Sequence, residues 1–473
     1  MNKLLRPATS RRAVAALLLV PACQSPLDSP APPPVQHYTY AAAAPDRALR
    51  FPADHGPHRE AAIEWWYFTG HILTAPAGAP APAAGPTRPA PASSGPASGS
   101  QPASAAAPEQ AGAPASPTAA PRPNSSPAAS AAAPEQAGAP ASPATAPLPD
   151  SPPATSAAAP EQAGFEVTVF RVSPPGGPLL AAPAAARPAQ ASFLSLHVAV
   201  TDLTGRTFRH QTLGLRERLG VAWVNSDPEH PLQVRLPGTT VRLAADGTFS
   251  LDAELTDAQN APLAVHATLA SPKPVTLHGA GGYSRKGDCP SCASHYASFP
   301  HLRGTAAVRS AGGERRGPAL AWFDHEFSSG ALGSGLRGWD WLAVQLADGW
   351  ELMAAQTRDL AGRPARLAGT LISPRGEATA LTAAELALEP SGQWRSPHSG
   401  AVYPARWRVK VSSAVHPLDA ELVPKLADQE ISGPETALAT YWEGTCEVRI
   451  DDQPAGLSYL EMTGYDPLHP PRL

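Results

Sequence analysis

The residues of this chain that could do chemistry are grouped, and the densest group is Trp322-Phe323-Asp324-His325-Glu326. Trp322, Asp324 and Glu326 are spaced i, i+2, i+4. On a β-strand that spacing points all three to one face and His325 to the other. The two carboxylates would then lie within ~7 Å of each other. If that face is apolar, both cannot easily ionise, and one should hold a proton near neutral pH. A carboxylic acid kept neutral by burial can give its proton to a substrate. The bland alternative places Asp324 and Glu326 on a solvent face, or pairs them with an arginine such as Arg337.

Further groups stand beside this one. Gly338-Trp339-Asp340-Trp341 puts two indoles on one strand face and Asp340 on the other, a candidate pocket wall. His295-Tyr296 offers a proton donor or a partner for a polar ligand tail. Glu64-Trp65-Trp66-Tyr67 reads as core packing with a buried ion pair, and Trp66 is a candidate ligand contact. Asp54, His55 and His58 supply two histidines and one carboxylate on a loop. Capping hydrogen bonds explain that set better than a metal does. No metal or cofactor is therefore expected. Glu443, Glu461 and Tyr465 read as structural residues that close a domain interface. Cys289-Pro-Ser-Cys292 lacks the second ligand pair of a zinc site and a βαβ context, so a local disulfide is expected, with Cys446 buried and single. No Ser-centred elbow, P-loop or dinucleotide fingerprint occurs.

The elements that must position these groups are strands. Phe165–Val172, Leu194–Val200, Trp407–Val411 and Cys446–Ile450 alternate apolar and polar residues, and Asp246-Gly247, Asp348-Gly349 and Pro374-Arg375-Gly376 mark turns. Short period-two runs at this spacing argue for an all-β sandwich or barrel. Only Leu381–Leu388 suggests a short helix. The stretch 74–163 is nearly all Ala, Pro, Ser and Gly, and Ser104-Ala-Ala-Ala-Pro-Glu-Gln-Ala-Gly recurs from Ser130 and from Ser156. It has no large apolar residue to bury, so it is expected to be a disordered insert. It separates two strand-like runs and reads as an expanded hairpin loop, because loop entropy grows slowly with length.

The chain opens with Lys3, Arg6, Arg11 and Arg12, followed by the apolar run Ala13–Val20 and then Pro21-Ala22-Cys23. That is the pattern of a secretory signal. The run would span only ~12 Å as a helix, too short to cross a bilayer. Small residues before a cysteine resemble a bacterial lipobox, in which Cys23 takes up lipid and becomes the new N-terminus. The expectation is export to the periplasmic side of a membrane or the cell envelope, with a lipid anchor on Cys23. Net charge is −4 over 473 residues, and no basic stripe argues for nucleic acid. The expected organisation is signal peptide 1–22, Pro/Ala-rich tether 23–46, first domain 47–300 and second domain 301–473.

Phe51-Pro-Ala-Asp54-His55-Gly56, Glu64-Trp65-Trp66-Tyr67-Phe-Thr-Gly70, Trp322-Phe-Asp324-His325-Glu326, Gly338-Trp339-Asp340-Trp341, Ser396-Pro397, Tyr403-Pro404, Glu443-Gly444 and Glu461-Met-Thr-Gly464-Tyr465 follow one another in the order of a known family. From about Phe51 to Tyr465 the chain resembles the hydroxyneurosporene synthase family, which covers carotenoid 1,2-hydratases and AttH-like lipocalin proteins. The resemblance implies two tandem lipocalin-like β-barrels around a hydrophobic isoprenoid or lipid. It implies cofactor-free hydration of a C=C bond, with Asp324 or Glu326 as acid, His325 beside them, and Trp322, Trp339, Trp341, Tyr296, His295 and Trp66 around the ligand. Protonating a trisubstituted double bond gives a tertiary carbocation, which aromatic faces stabilise by ~2 kcal/mol or more when desolvated. The family also contains proteins with no assigned reaction, so a lipid-binding lipoprotein serving a membrane transporter is the competing expectation.

Overall fold

The computed structural model describes residues 38–74, 160–173, 182–183, 192–218, 220–289, 292–328, 335–432, 440–469 and 471. The expected signal 1–22, Cys23, the tether up to residue 37 and the insert between 75 and 159 lie outside them. Apart from a 3-10 turn at Ala53–His55, the regular elements among the described residues are all β-strands.

They form two large curled sheets of 13 and 10 strands. In the first, the central order is Phe193–Asp202, Glu161–Val172, Ile63–Leu73, Gly313–Ser328, Ala293–Ser310, all antiparallel. In the second it is Glu351–Asp359, Leu336–Leu346, Gln453–Thr463, Tyr441–Ile450. The alternation seen in the sequence explains the curl. Phe165, Val167 and Val169 face inward with Leu194, Leu196, Val198 and Val200, and the first sheet wraps around them, Trp66, Phe249 and Phe323. The second wraps around Trp407, Trp442, Tyr403 and Met462. The all-β, two-barrel architecture expected from the sequence is the one found.

The central strands are unusual in being buried on both faces. Glu166 and Thr168, the polar positions between those inward residues, are 0% exposed. The second sheet covers that outer face. A third cluster, with Tyr67, Tyr296, Trp322, Trp341, Met353 and Tyr459, sits between the sheets. Polar ties cross the same seam. Glu351 receives Lys273 Nζ at 2.5 Å and faces His301 Nδ1 at 2.6 Å. Gln345 Nε2 donates to Pro300 O at 2.8 Å, and Thr201 Oγ1 donates to Gln429 Oε1 at 2.8 Å.

Four sequence expectations need correction. A division at 300/301 would cut the strand Ala293–Ser310. The strand Gly313–Ser328 then pairs along most of its length with Ile63–Leu73, so the first sheet ends at Ser328 and the second begins at Leu336. The insert ends before Glu161 rather than at 163: the third repeat copy runs into the strand Glu161–Val172, where Leu73 pairs with Glu161. The small Ala163 and Gly164 that made it look featureless let it pack closely, with Gly164 against Thr445. Leu381–Leu388 is no helix but a strand end, a turn and the strand Leu386–Ser391, because Leu381, Leu386 and Leu388 all bury into the second core. The end of the tether is docked: Ala41 N–H donates to Glu60 O at 3.0 Å and Ala43 is buried.

Candidate active site

The strand Gly313–Ser328 lies at the seam, so one of its faces looks into the first barrel and the other toward the second sheet. Alternation then sends Asp324 and Glu326 to the seam and His325 into the barrel. Asp324 stands between two register partners, Ser298 and Tyr67. Its carboxylate accepts Tyr296 OH at 2.6 Å, Trp322 Nε1–H at 2.6 Å and the Ser298 hydroxyl. From the second sheet, Trp341 Nε1–H donates to Tyr296 OH at 2.9 Å. The phenol therefore passes a hydrogen bond from one sheet to the acid of the other.

Asp324, Tyr296, Tyr67 and Trp341 line a cavity of about 130 Å³ between the sheets, room for several waters. With its mouth, the space free of protein atoms is about 1170 Å³. Trp65, Tyr67, Phe170, Tyr296, Trp339 and Trp341 are among the residues of its wall. Five carboxylates reach it: Asp324, Glu326, Glu166, Glu443 and Glu461. Glu326 Oε1 lies 2.8 Å from Lys286 Nζ, which comes from the rim. Lys286 is placed by the neighbouring loop, where its N–H donates to Cys292 O at 2.8 Å and Cys289 is disulfide-bonded to Cys292.

The apolar wall governs the charges. Burial pushes Asp324 up to about 7 against its three donors, and Glu326 pushes the same way. Burial and the nearby Glu166 push Glu461 up to about 8, although Trp339 Nε1–H donates to it at 3.1 Å. Burial pushes Glu166 up to about 7. Burial, then Glu166 and Glu461, drive Glu443 well above the usual carboxylate range, while Tyr67 OH donates to its Oε1 at 2.5 Å. An arrangement of this kind keeps several carboxylic acids neutral near pH 7 inside an aromatic box.

Other sequence candidates lie elsewhere. Arg337 does not pair with Asp324 or Glu326; its Nε donates to Gly464 O at 2.8 Å. Trp66 points into the first core and donates to His55 O at 3.0 Å, while its neighbours Trp65 and Tyr67 face the cavity. Trp322 packs behind Asp324, edge-on to Trp341. His295 is buried beside Phe327, off the cavity, and burial pushes it down to about 4. His325 Nε2 lies 3.0 Å from Glu64 Oε1. Cys446 is buried and unpaired. Glu443 and Glu461, expected to be structural, line the cavity, as do Glu166 and Lys286, which sequence reading did not single out. Glu166 sits at a polar position of an alternating strand, which in a sequence looks like a solvent-facing residue.

His58, Glu64 and His325 offer possible metal-ligand atoms within 4.8 Å of one another. Each is already engaged. Glu64 Oε1 faces His58 Nδ1 at 2.7 Å, Glu64 Oε2 accepts Arg171 Nε and Nη2 at 2.9 and 2.8 Å, and His58 Nε2 meets Asp54 Oδ1 at 2.9 Å. Burial opposes the charge on Glu64, but Arg171 and the two histidines hold it well below the usual range. A guanidinium already occupies the position a cation would want, so this is an ion-pair network closing the barrel end. The second barrel repeats the device: buried Asp340 accepts Arg358 Nε at 2.9 Å and Gln356 Nε2 at 2.8 Å.

Comparison with known proteins places this geometry. No curated protein matches the chain in sequence. Among solved structures, a Nitrosomonas europaea protein designated a candidate AttH is 25% identical, with a TM-score of 0.62, over 90% of this chain and 99% of its own. Kievitone hydratase from Nectria haematococca is 12% identical, with a TM-score of 0.48, over 90% and 96%. The AttH-like family model matches residues 154–465. With about two thirds of its length matched, taking in the second sheet and all of the first but its N-terminal segment with the strand Ile63–Leu73, the chain belongs to the AttH-like family.

Proposed function

We propose that this protein binds the end of a hydrophobic, unsaturated chain in the cavity between its barrels and adds water across a C=C bond. The observation that carries this reading is Asp324: a buried carboxyl, held near neutrality, facing a cavity walled by Trp339, Trp341, Tyr296 and Tyr67. Asp324 gives its proton to one alkene carbon, using the C=C electron pair. The other carbon becomes a tertiary cation. The aromatic faces stabilise it by ~2 kcal/mol or more where water is excluded. Water then forms the C–O bond and releases a proton. Glu326 is already engaged by Lys286, whose Nζ lies 2.8 Å from its Oε1. His325 is a positioning residue on the opposite face, tied to Glu64.

The ligand class is an isoprenoid or lipid. As part of the same proposal, the chain is exported and held at the membrane by lipid on Cys23, which would bring the cavity to a bilayer that supplies such ligands. The test uses lycopene, an acyclic carotenoid, with the protein lacking residues 1–37. Wild type should form a hydroxylated product, and Asp324→Asn should lower its rate by about 10²-fold or more while still unfolding cooperatively well above the assay temperature. Equal rates in the two proteins would remove Asp324 from the chemistry. A wild type that leaves lycopene untouched but co-purifies with a lipid, identified by mass spectrometry, would make it a carrier, as a transporter accessory would be.

A further inference from the structure

Three cavity glutamates have no part in that reading. Glu443 and Glu461 stand directly opposite each other on paired strands, a placement that is unfavourable when both are charged. Glu166 approaches them from the first sheet. Glu166 and Glu443 are 0% exposed. In each, Oε1 takes a phenol, from Tyr441 at 3.4 Å and from Tyr67 at 2.5 Å, while Oε2 makes no hydrogen bond of good geometry, the Thr168 hydroxyl being the nearest further donor to Glu166. Among the described residues no Lys, Arg or His side chain compensates any of the three. Buried acceptors are rarely left bare. Both side chains line the cavity, and a small molecule with two to four polar contacts, such as water, is what satisfies such atoms.

Tyr67 ties this group to the acid. It is the register partner of Asp324, and its hydroxyl ends on Glu443. The acid and the Glu443 carboxyl are therefore neighbours of one tyrosine, on the cavity that Glu166 also lines.

Resting on the hydration reading above, we propose that Glu166 and Glu443 hold the water that captures the carbocation, and that Glu166 accepts its proton. The alkene electron pair forms a C–H bond with the proton of Asp324, leaving the Asp324 carboxylate. The water oxygen forms the C–O bond with the cationic carbon, and the surplus proton passes to Glu166 Oε2. The sum is alkene plus water to tertiary alcohol, with one proton moved from Asp324 to Glu166. That proton returns through solvent. A carboxylate whose proton affinity burial has raised toward neutrality is a better base than an ordinary one, and Glu166 is pushed up to about 7. Glu443, held higher by Glu166 and Glu461, stays neutral and orients the water.

The experiment separates protonation from capture. Lycopene is incubated with enzyme in D2O, and both the alcohol and the deuterium content of recovered lycopene are measured by mass spectrometry. Glu166→Gln should lower alcohol formation by about 10²-fold or more, while deuterium exchange into lycopene stays within a few-fold of wild type. Asp324→Asn should lose both. A Glu166→Gln enzyme that hydrates at the wild-type rate overturns the proposal. So does one that melts normally yet loses exchange together with hydration, since the acid step should survive. Should Glu166→Gln fail to fold, Glu443→Gln, which keeps an acceptor for Tyr67, is read by the same two measurements. If wild type neither exchanges nor hydrates lycopene, the hydration reading itself falls and takes this inference with it.

Discussion

Whether Asp324 is an acid or an anion in the folded protein decides its chemistry, and stability measurements can tell. Two effects oppose each other at this residue. Its side chain is 3% exposed, which favours the neutral form; three donors favour the carboxylate. Burial is the larger effect and lifts the group from 3.8 to about 7. The folded protein then binds a proton that the unfolded chain has already lost, wherever pH lies between those values. Stability from this group is fully present below about pH 4 and is lost as pH rises through 7. A shift of about three pH units corresponds to about 4 kcal/mol. Asp324→Asn cannot ionise, and its amide still offers an oxygen to the Trp322 and Ser298 donors. The assay is urea unfolding of wild type and Asp324→Asn from pH 3 to pH 9. Titrating groups not coupled to Asp324 cancel in the difference. Wild type minus variant should fall by about 4 kcal/mol between pH 4 and pH 7 and then level off. A difference flat to within about 1 kcal/mol, or one that rises with pH, would mean that the three donors offset or outweigh burial, that Asp324 is an anion at neutral pH, and that it cannot be the proton donor there.

Three further outcomes are expected. Arg171→Met strips the guanidinium from Glu64, leaving a buried carboxylate with only its histidines, and should cost about 3–5 kcal/mol in chemical denaturation; Glu64→Gln in the same chain should restore much of it. Replacing residues 75–159 by Asn-Gly should leave the melt and lycopene turnover unchanged or slightly improved, because Thr74 N–H already donates to Pro160 O at 2.7 Å and a shorter loop closes at lower entropic cost. A fall in melting temperature would give the insert a structural role. Cys23→Ser, expressed from the complete gene in a bacterial host, should abolish labelling by radioactive palmitate and shift the protein from the membrane to the soluble fraction; unchanged labelling would place the modification elsewhere.

Much of the fold is local in origin, and for that reason it is legible in the sequence. Period-two runs such as Phe165–Val172 can bury their apolar residues only as strands, so the all-β class and the pairing of Ile63–Leu73 with Glu161–Val172 across the long insert follow from the pattern. The spacing of Trp322, Asp324 and Glu326 likewise dictates that they share a face and that His325 does not. Leu381–Leu388 misled because six leucine and alanine positions in eight residues fit a helix until the second core claims Leu386 and Leu388.

What lies across those faces is a tertiary matter. Alternation cannot distinguish a strand with one face in water from a strand covered on both sides, so Glu166 looked solvated although the second sheet buries it completely. The same covering turns Glu443 and Glu461 from interface residues into cavity acids, makes Trp65 and Tyr67 rather than Trp66 the cavity-facing rings, and gives Glu326 to Lys286 instead of Arg337. The chain dictates which way each side chain points along its own strand. Only the meeting of two barrels decides whether that direction leads to water, to core or to a cavity, because proton affinity and cation stabilisation depend on the medium around a group, and the medium is made by residues distant in the chain.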